Sequence, residues 1–265
     1  MIGSILSYLP IDFPWRDRIH WFESIDSTNT RAKLMAAQGA PHGTILIADS
    51  QTGGRGRLGR SFHSPRGAGI YLTMILRPQC HASELMHLTC ATGVAMCDAV
   101  ESACGLRPGI KWTNDLVFGK RKLGGILTEL SLDSSGNASY AVVGIGINCA
   151  QKESDFPEDI RSIATSLQMQ AGIPVDRSRM IAAMVVCLKK MSAQLLDHKT
   201  AIMAQYRRDC ITVGQEISVV AGETVRYGTA LSVDDEGALL VQFSDGHTQA
   251  VSTGEVSVRG MYGYI

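Results

Sequence analysis

The chain predicts an α+β fold: a central β-sheet with helices packed on it, followed by a small antiparallel barrel. Three observations carry that expectation. Residues 140–147 are so continuously apolar that both faces of that strand must be covered. Segments 83–105 and 180–196 repeat their apolar residues at helical spacing. From about Thr212 the texture changes to short strands, 215–220, 224–233, 238–243, 248–251 and 255–259, separated by turns such as Asp234–Gly237 and Ser244–His247. The expected division is therefore 1–211 and 212–265, and with no long linker between them the two parts should pack together.

In chain order, the first ten residues lack a basic stretch and end their apolar run at Pro10, so they form neither a secretion signal nor a membrane span. Only about twenty residues precede Trp21-Phe22, too few for a helix-turn-helix module with its own core. Ser27-Thr28-Asn29-Thr30 precedes a run of good helix formers closed by Gly39, a capping motif whose exposed N–H groups also suit a polar ligand. Residues 44–48 and 70–76 read as strands. Between them, residues 51–60 hold four glycines and three arginines and form a loop. Glycine permits close backbone approach, and Arg55, Arg57 and Arg60 bring permanent charge and forked donors that match phosphate or carboxylate. The expectation is a loop that orders over an anion when its ligand arrives.

Gly54 to Gly59 also satisfies the G-x-G-x-x-G pattern of dinucleotide-binding folds. That pattern requires a helix directly afterwards and an acidic residue about twenty positions on. Ser61 to Gly67 contains Pro65 and cannot open a helix, and the acidic residue is missing, so the match is discounted.

Segments 109–112, 116–118 and 123–130 read as further strands, and 201–210 as a further helix. Lys111-Trp112-Thr113-Asn114-Asp115-Leu116 gathers a cation, an amide and a carboxylate at a strand end, where such sheets expose their working groups. Lys122 stands immediately before Leu123-Gly124-Gly125, a double glycine that invites another group close to the backbone. Gly144 and Gly146 lie on one face of the last strand and would clear room for a flat ligand, with Asn148 placed to read its edge.

Composition excludes several classes. Lys plus Arg and Asp plus Glu both number 25, so a generic nucleic-acid or membrane-surface binder is not indicated, and any positive field must be local. The seven cysteines form no C-x-x-C pair and are odd in number, which suggests neither a zinc site nor a disulfide framework and points to a reducing, cytoplasmic setting. Cys90, Cys97 and Cys104 recur every seven residues along one helix stripe and read as packing. No Ser-His-Asp order, H-E-x-x-H or P-loop is present.

Five blocks in this order, Ser27-Thr28-Asn29, Gly54 to Arg60, Lys111 to Leu116, Arg121 to Leu127 and Gly144 to Asn148, resemble the biotin protein ligase family, with a last match at Gly254 to Arg259. The resemblance implies a mixed sheet backed by helices, like that of class II aminoacyl-tRNA synthetases, with an SH3-like barrel after it. It implies formation of biotinyl-5′-AMP from biotin and ATP with Mg²⁺, then transfer of biotin to a lysine of a biotin carboxyl carrier domain such as that of acetyl-CoA carboxylase. By motif, Ser27, Thr28, Asn29 and Gln51 would bind the biotin head group. Arg55, Gly56 and Arg57 would close on biotin and the adenylate, with Gly125 and Lys122 at the biotin carboxyl. Arg60, Lys111, Asn114 and Asp115 would lie by the nucleotide, Phe62 and Asn148 would hold adenine, and Asp115 would help deprotonate the acceptor lysine. No DNA or membrane partner is implied, and monomer and homodimer both stay open. The family usually has proline where this chain has Thr113, a change that frees φ and adds a donor while leaving Lys111, Asn114 and Asp115 in register.

Overall fold

The computed structural model describes residues 1–252 and 256–260. Its first sheet holds seven strands: β1 (Ile19–Phe22), β2 (Thr44–Ala48), β3 (Gly69–Leu76), β4 (Gly109–Lys111), β5 (Asp115–Phe118), β6 (Arg121–Leu132) and β7 (Ala138–Asn148). They run β1-β2-β3-β7-β6-β5-β4. The β1–β2 pair is parallel and every other pair antiparallel, so the sheet is mixed. The helices are α1 (Ile2–Ser7), α2 (Thr28–Ala37), α3 (Leu88–Cys104), α4 (Glu158–Arg161), α5 (Leu167–Ala171), α6 (Arg177–Gln194) and α7 (Lys199–Asp209).

The sheet is covered on both faces, which explains why β2 and β3 are buried at every position. Alternate residues point to opposite sides. On one side Leu46, Ile75 and Val142 meet Ala32 and Ala36 of α2. On the other, Ile45, Ile47, Leu72 and Met74 join the main core with Met96 and Val100 of α3 and Met184 and Leu188 of α6. Cys90 and Cys97 are buried in that core as packing residues, and burial pushes the Cys90 thiol up to about 12, far from a reactive thiolate.

The helix expected from Ser83 begins later. Residues Ala82–Leu85 form a 3₁₀ turn in which His81 Nδ1 accepts from the Ser83 N–H, and the α-helix proper starts at Leu88. Its end at Gly105 is as expected, with the glycine at φ 69 closing the last turn. The first eighteen residues are more structured than their sequence indicates, because α1 docks on α6 and leads into β1 at the sheet edge.

The C-terminal strands β8 (Glu216–Ala221), β9 (Thr224–Val233), β10 (Leu239–Phe243), β11 (Thr248–Val251) and β12 (Val256–Gly260) form one antiparallel sheet, ordered β11-β10-β9-β8-β12. This is the SH3-like part. Glu255, expected in the last strand, and Gly254 lie outside the described residues. The two sheets pack together: the Trp112 N–H donates to Thr212 Oγ1 and its indole Nε1–H to Gly237 O, both at 2.9 Å, while Arg207 donates to Val233 O and Asp235.

Candidate active site

The loop between β2 and β3 folds over the sheet rather than leading into a helix, which disposes of the dinucleotide pattern. It turns on itself through Gly56 N–H to Arg60 O (2.7 Å) and Phe62 N–H to Gly54 O (2.9 Å). Glycine is needed at position 54, because a Cβ there would stand 2.6 Å from both Phe62 O and Ser64 Oγ. Beneath the loop is a cavity of about 600 Å³. Arg55, Arg57 and Arg60 from the loop, Lys111 from β4 and Lys122 from β6 all line it. Five cationic side chains, from segments far apart in sequence, converge on one space.

Opposite charge enters through Asp115. Its Oδ1 accepts from Lys122 Nζ at 2.6 Å and from Asn114 Nδ2 at 3.3 Å. A bulge puts these groups together: Leu116 pairs with Gly124 and Val117 with Lys122, so Leu123 is passed over and Asp115 faces Gly125. The absent side chain of Gly125 leaves the ion pair its room, since a Cβ there would lie 3.4 Å from Asp115 Oδ1 and 3.5 Å from Lys122 Nζ. The Lys122 backbone is clamped by residues 163–165, through Lys122 N–H to Ile163 O and Thr165 N–H to Lys122 O. Arg57 reaches from the loop to Asn114 Oδ1 at 2.9 Å. Burial lowers its guanidinium pKa, opposed by the nearby Asp115 carboxylate.

The remaining wall is a polar floor at the start of α2. Gln51 Oε1 accepts from the Thr28 N–H (2.8 Å) and Oγ1 (3.0 Å), and its Nε2 donates to Ser64 Oγ. Ser27 caps α2 and also lines the cavity. Asn29 is held on all sides: Nδ2 donates to Leu127 O (3.2 Å) and Glu129 Oε2 (3.0 Å), and Oδ1 accepts from Thr73 Oγ1 (2.7 Å). Burial pushes the Glu129 carboxyl up, but hydrogen bonds from Lys33 and Asn29, with the charges of Lys33 and Arg55, outweigh it and hold the pKa below the ordinary range.

Of the residues singled out from sequence, Ser27, Thr28, Asn29, Gln51, Arg55, Gly56, Arg57, Arg60, Phe62, Lys111, Asn114, Asp115, Lys122 and Gly125 all line this cavity. Asn148 lies apart from these residues. It sits at the end of β7, where the following chain captures its carboxamide: Nδ2 donates to Thr165 O and Oδ1 accepts from Gln151 Nε2, and it is not among the lining residues. Gly144 and Gly146 also line the cavity, and two site side chains sit against them. A Cβ on Gly144 would lie 1.9 Å from Asn29 Oδ1, and one on Gly146 would lie 2.6 Å from the Phe62 ring. The glycines make room for two site side chains. Sequence reading missed Trp112, Ile163 and Val258 in the wall, and the Glu129–Lys33 support behind Asn29. Glu129 is the one acidic residue of β6, and that was the available signal.

A mixed sheet carrying a cation-lined cavity, joined to a small antiparallel sheet, defines the class of an α+β protein with an anion-binding site. Residues 21–148 match the model of the biotin/lipoate A/B protein ligase family, and residues 212–259 that of the biotin protein ligase C-terminal domain. A biotin--[acetyl-CoA-carboxylase] ligase of Paracoccus denitrificans is 32% identical over 241 residues, which cover 89% of this chain and 98% of that one. The bifunctional ligase/repressor BirA of Bacillus subtilis (strain 168) is 35% identical over 227 residues, covering 85% and 70%. The solved biotin protein ligase from Aquifex aeolicus in complex with biotin and ATP matches with a TM-score of 0.77 at 28% identity, covering 91% of this chain and 98% of that one. The chain belongs to the biotin protein ligase family. Among the described residues no helix is long and apolar enough to cross a membrane.

Proposed function

We propose that the protein activates biotin with ATP as biotinyl-5′-AMP, releasing pyrophosphate, and then transfers the biotinyl group to a lysine of a biotin carboxyl carrier domain. The observation that carries this reading is the convergence of Arg55, Arg57, Arg60, Lys111 and Lys122 on one cavity whose other wall is the neutral, polar floor of Ser27, Thr28 and Gln51. A flat polar head group suits the floor, and a carboxylate beside a triphosphate suits the cationic end.

In the first step a carboxylate oxygen of biotin attacks the α-phosphorus of ATP, the bond to the bridging oxygen breaks, and pyrophosphate leaves. Two anions must meet. Cations already fixed in place lower that barrier by neutralising charge and by alignment. Lys122 is assigned to the biotin carboxyl, with its ammonium oriented by Asp115. Arg57 and Lys111 are assigned to the α-phosphate, Asn114 and Arg60 to the nucleotide side, and Phe62 to adenine. Asn148 is left out of the set. In the second step the acceptor amine attacks the acyl carbon and AMP leaves. Here the loop from Arg55 to Arg60 keeps water from the anhydride, and Asp115 takes the proton of the incoming ammonium.

Mg²⁺ supplies counter-charge to the ATP phosphates. Among the described residues no cluster of three His, Cys, Asp or Glu could hold a metal by itself. One carboxylate, Asp115, lies in the cavity wall, which fits an ion carried mainly by the nucleotide. We place the boundary between the catalytic and C-terminal domains at residue 212 and the reaction in the cytoplasm, a setting that suits seven free cysteines.

The test is incubation with ATP, Mg²⁺ and either biotin or lipoate, following pyrophosphate release and label transfer to a carrier domain. Biotin-dependent release and transfer is the expected result. Turnover with lipoate and none with biotin overturns the substrate, and the absence of pyrophosphate release with both overturns the activity.

A further inference from the structure

Arg177, the first residue of α6, lies outside the cavity wall, yet its guanidinium joins the two ends of the arginine loop. Its NH2 group donates to Asp49 Oδ1 at 3.0 Å and to Gly69 O at 2.9 Å. Asp49 directly follows β2 and Gly69 opens β3, so these partners are the last residue before the loop segment 50–68 and the first after it. The contact is largely buried: the Arg177 side chain is 11% exposed and that of Asp49 15%. Its Nε is buried without a hydrogen-bond partner among the described residues. A desolvated guanidinium with one donor left unused is costly for a fold that needed only to start a helix.

The surroundings are built around the same point. The Gly67 N–H donates to Asp49 O, the Tyr71 hydroxyl to Pro65 O, and the Ala150 N–H to Ala68 O. Position 69 must be glycine, because a Cβ there would lie 2.4 Å from the Tyr71 hydroxyl. Two residues beyond Asp49 is Gln51, whose carboxamide is fixed to Thr28 and Ser64. A shift of the loop's first foot therefore reaches the polar floor, and a separation of both feet widens the base from which Arg55, Arg57 and Arg60 close.

We propose that Arg177 is a positioning residue that clasps the two feet of the arginine loop and sets how tightly that loop closes over the cavity. It touches no reacting atom and acts through Asp49 and Gly69. That it affects retention of the acyl-adenylate rests on the function proposed above; that it restrains the loop does not.

The experiment is hydrogen–deuterium exchange on the full chain without ligand, for wild type, Arg177→Met, Arg177→Lys and the double variant Arg177→Met/Asp49→Asn. The double variant also removes the Asp49 charge, which in Arg177→Met keeps only its exposed pair with Arg66, so it is expected to recover part of the thermal stability lost in Arg177→Met. Exchange across residues 50–68 is expected to rise about tenfold in both Met variants, with little change in α3 and β7, and to return part of the way in Arg177→Lys. Arg66→Gln, which removes the exposed pairs to Asp49 and Glu23 and leaves Arg177 in place, is expected to leave loop exchange at the wild-type rate. Wild-type exchange across 50–68 in the double variant, or a rise spread evenly over the sheet, overturns the clasp. In a parallel arm, biotinyl-AMP release is expected to be about tenfold faster in the double variant. Fast loop exchange with unchanged release overturns the link to catalysis. Fast loop exchange in a protein that forms no adenylate supports the clasp and sinks the proposed activity instead.

Discussion

Lys122 Nζ lies 2.6 Å from Asp115 Oδ1 across the bulge of the β5–β6 pair, with Gly125 open beneath them. An ammonium held so closely by a carboxylate is aimed before any substrate arrives, and it has further protons with which to meet a second anion. Lys122→Ala is expected to reduce adenylate formation by about 10²–10³-fold, the scale for loss of one preorganised electrostatic partner. Pyrophosphate release under saturating biotin and ATP measures it. Near wild-type turnover removes Lys122 from the reacting centre.

Arg57 joins the arginine loop to the sheet side of the cavity through its bond to Asn114 Oδ1. Arg57→Gly deletes that bond and the charge at once, so the adenylate is expected to escape about tenfold faster or more. Asn114→Ala keeps the charge and loses the bond. A double-mutant cycle on release rates should give a coupling of about 0.5–3 kcal/mol. Additive effects would show that the two residues act separately.

Local chemistry made most of this site legible before any coordinates. Three arginines among glycines have no role in a helix or strand, and Lys111, Asn114 and Asp115 stand where a strand ends, so their types and places already specified an anion site. What spans long sequence separations was hidden. Gly144 and Gly146 revealed that something approaches β7, but Asn29 and Phe62, which fill that space, come from more than eighty residues earlier. Asn148 has the right residue type and is diverted by Thr165, whose position depends on the short helices of 158–171. Arg177 and Glu129 each look like one ordinary charge in an amphipathic or apolar run, because their meaning lies in partners 128 and 100 positions away.

The glycines of β7 give a direct test of that packing. Gly144→Ala places a methyl 1.9 Å from Asn29 Oδ1, and Asn29 is fixed by Leu127, Glu129 and Thr73, so it has nowhere to move. A loss of about 1–3 kcal/mol in stability is expected, with a raised KM for biotin. Gly146→Ala meets the Phe62 ring at 2.6 Å instead and is expected to raise the KM for ATP. Steady-state kinetics on the two variants decide the point, and identical effects on both substrates would contradict the separate placement of Asn29 and Phe62.

Glu129 predicts how the same region responds to acid. Its carboxyl has a folded pKa below the ordinary 4.5, held down by Lys33 and Asn29 with the charge of Arg55, against the opposing effect of burial. A lowered carboxylate pKa contributes stability in full above the unfolded value and loses it as pH falls through the folded one. Wild type is therefore expected to lose melting temperature below about pH 4.5 more steeply than Glu129→Gln, which has no proton to take up there. Asp133 and Asp176 also have lowered values, so the difference between the two proteins is the quantity to follow. Near pH 7, Glu129→Gln is less stable than wild type because Lys33 has lost its partner at 2.7 Å. Melting curves from pH 3 to 7 that run parallel for the two proteins would show that the Glu129 carboxylate contributes nothing to holding Asn29 beside the polar floor.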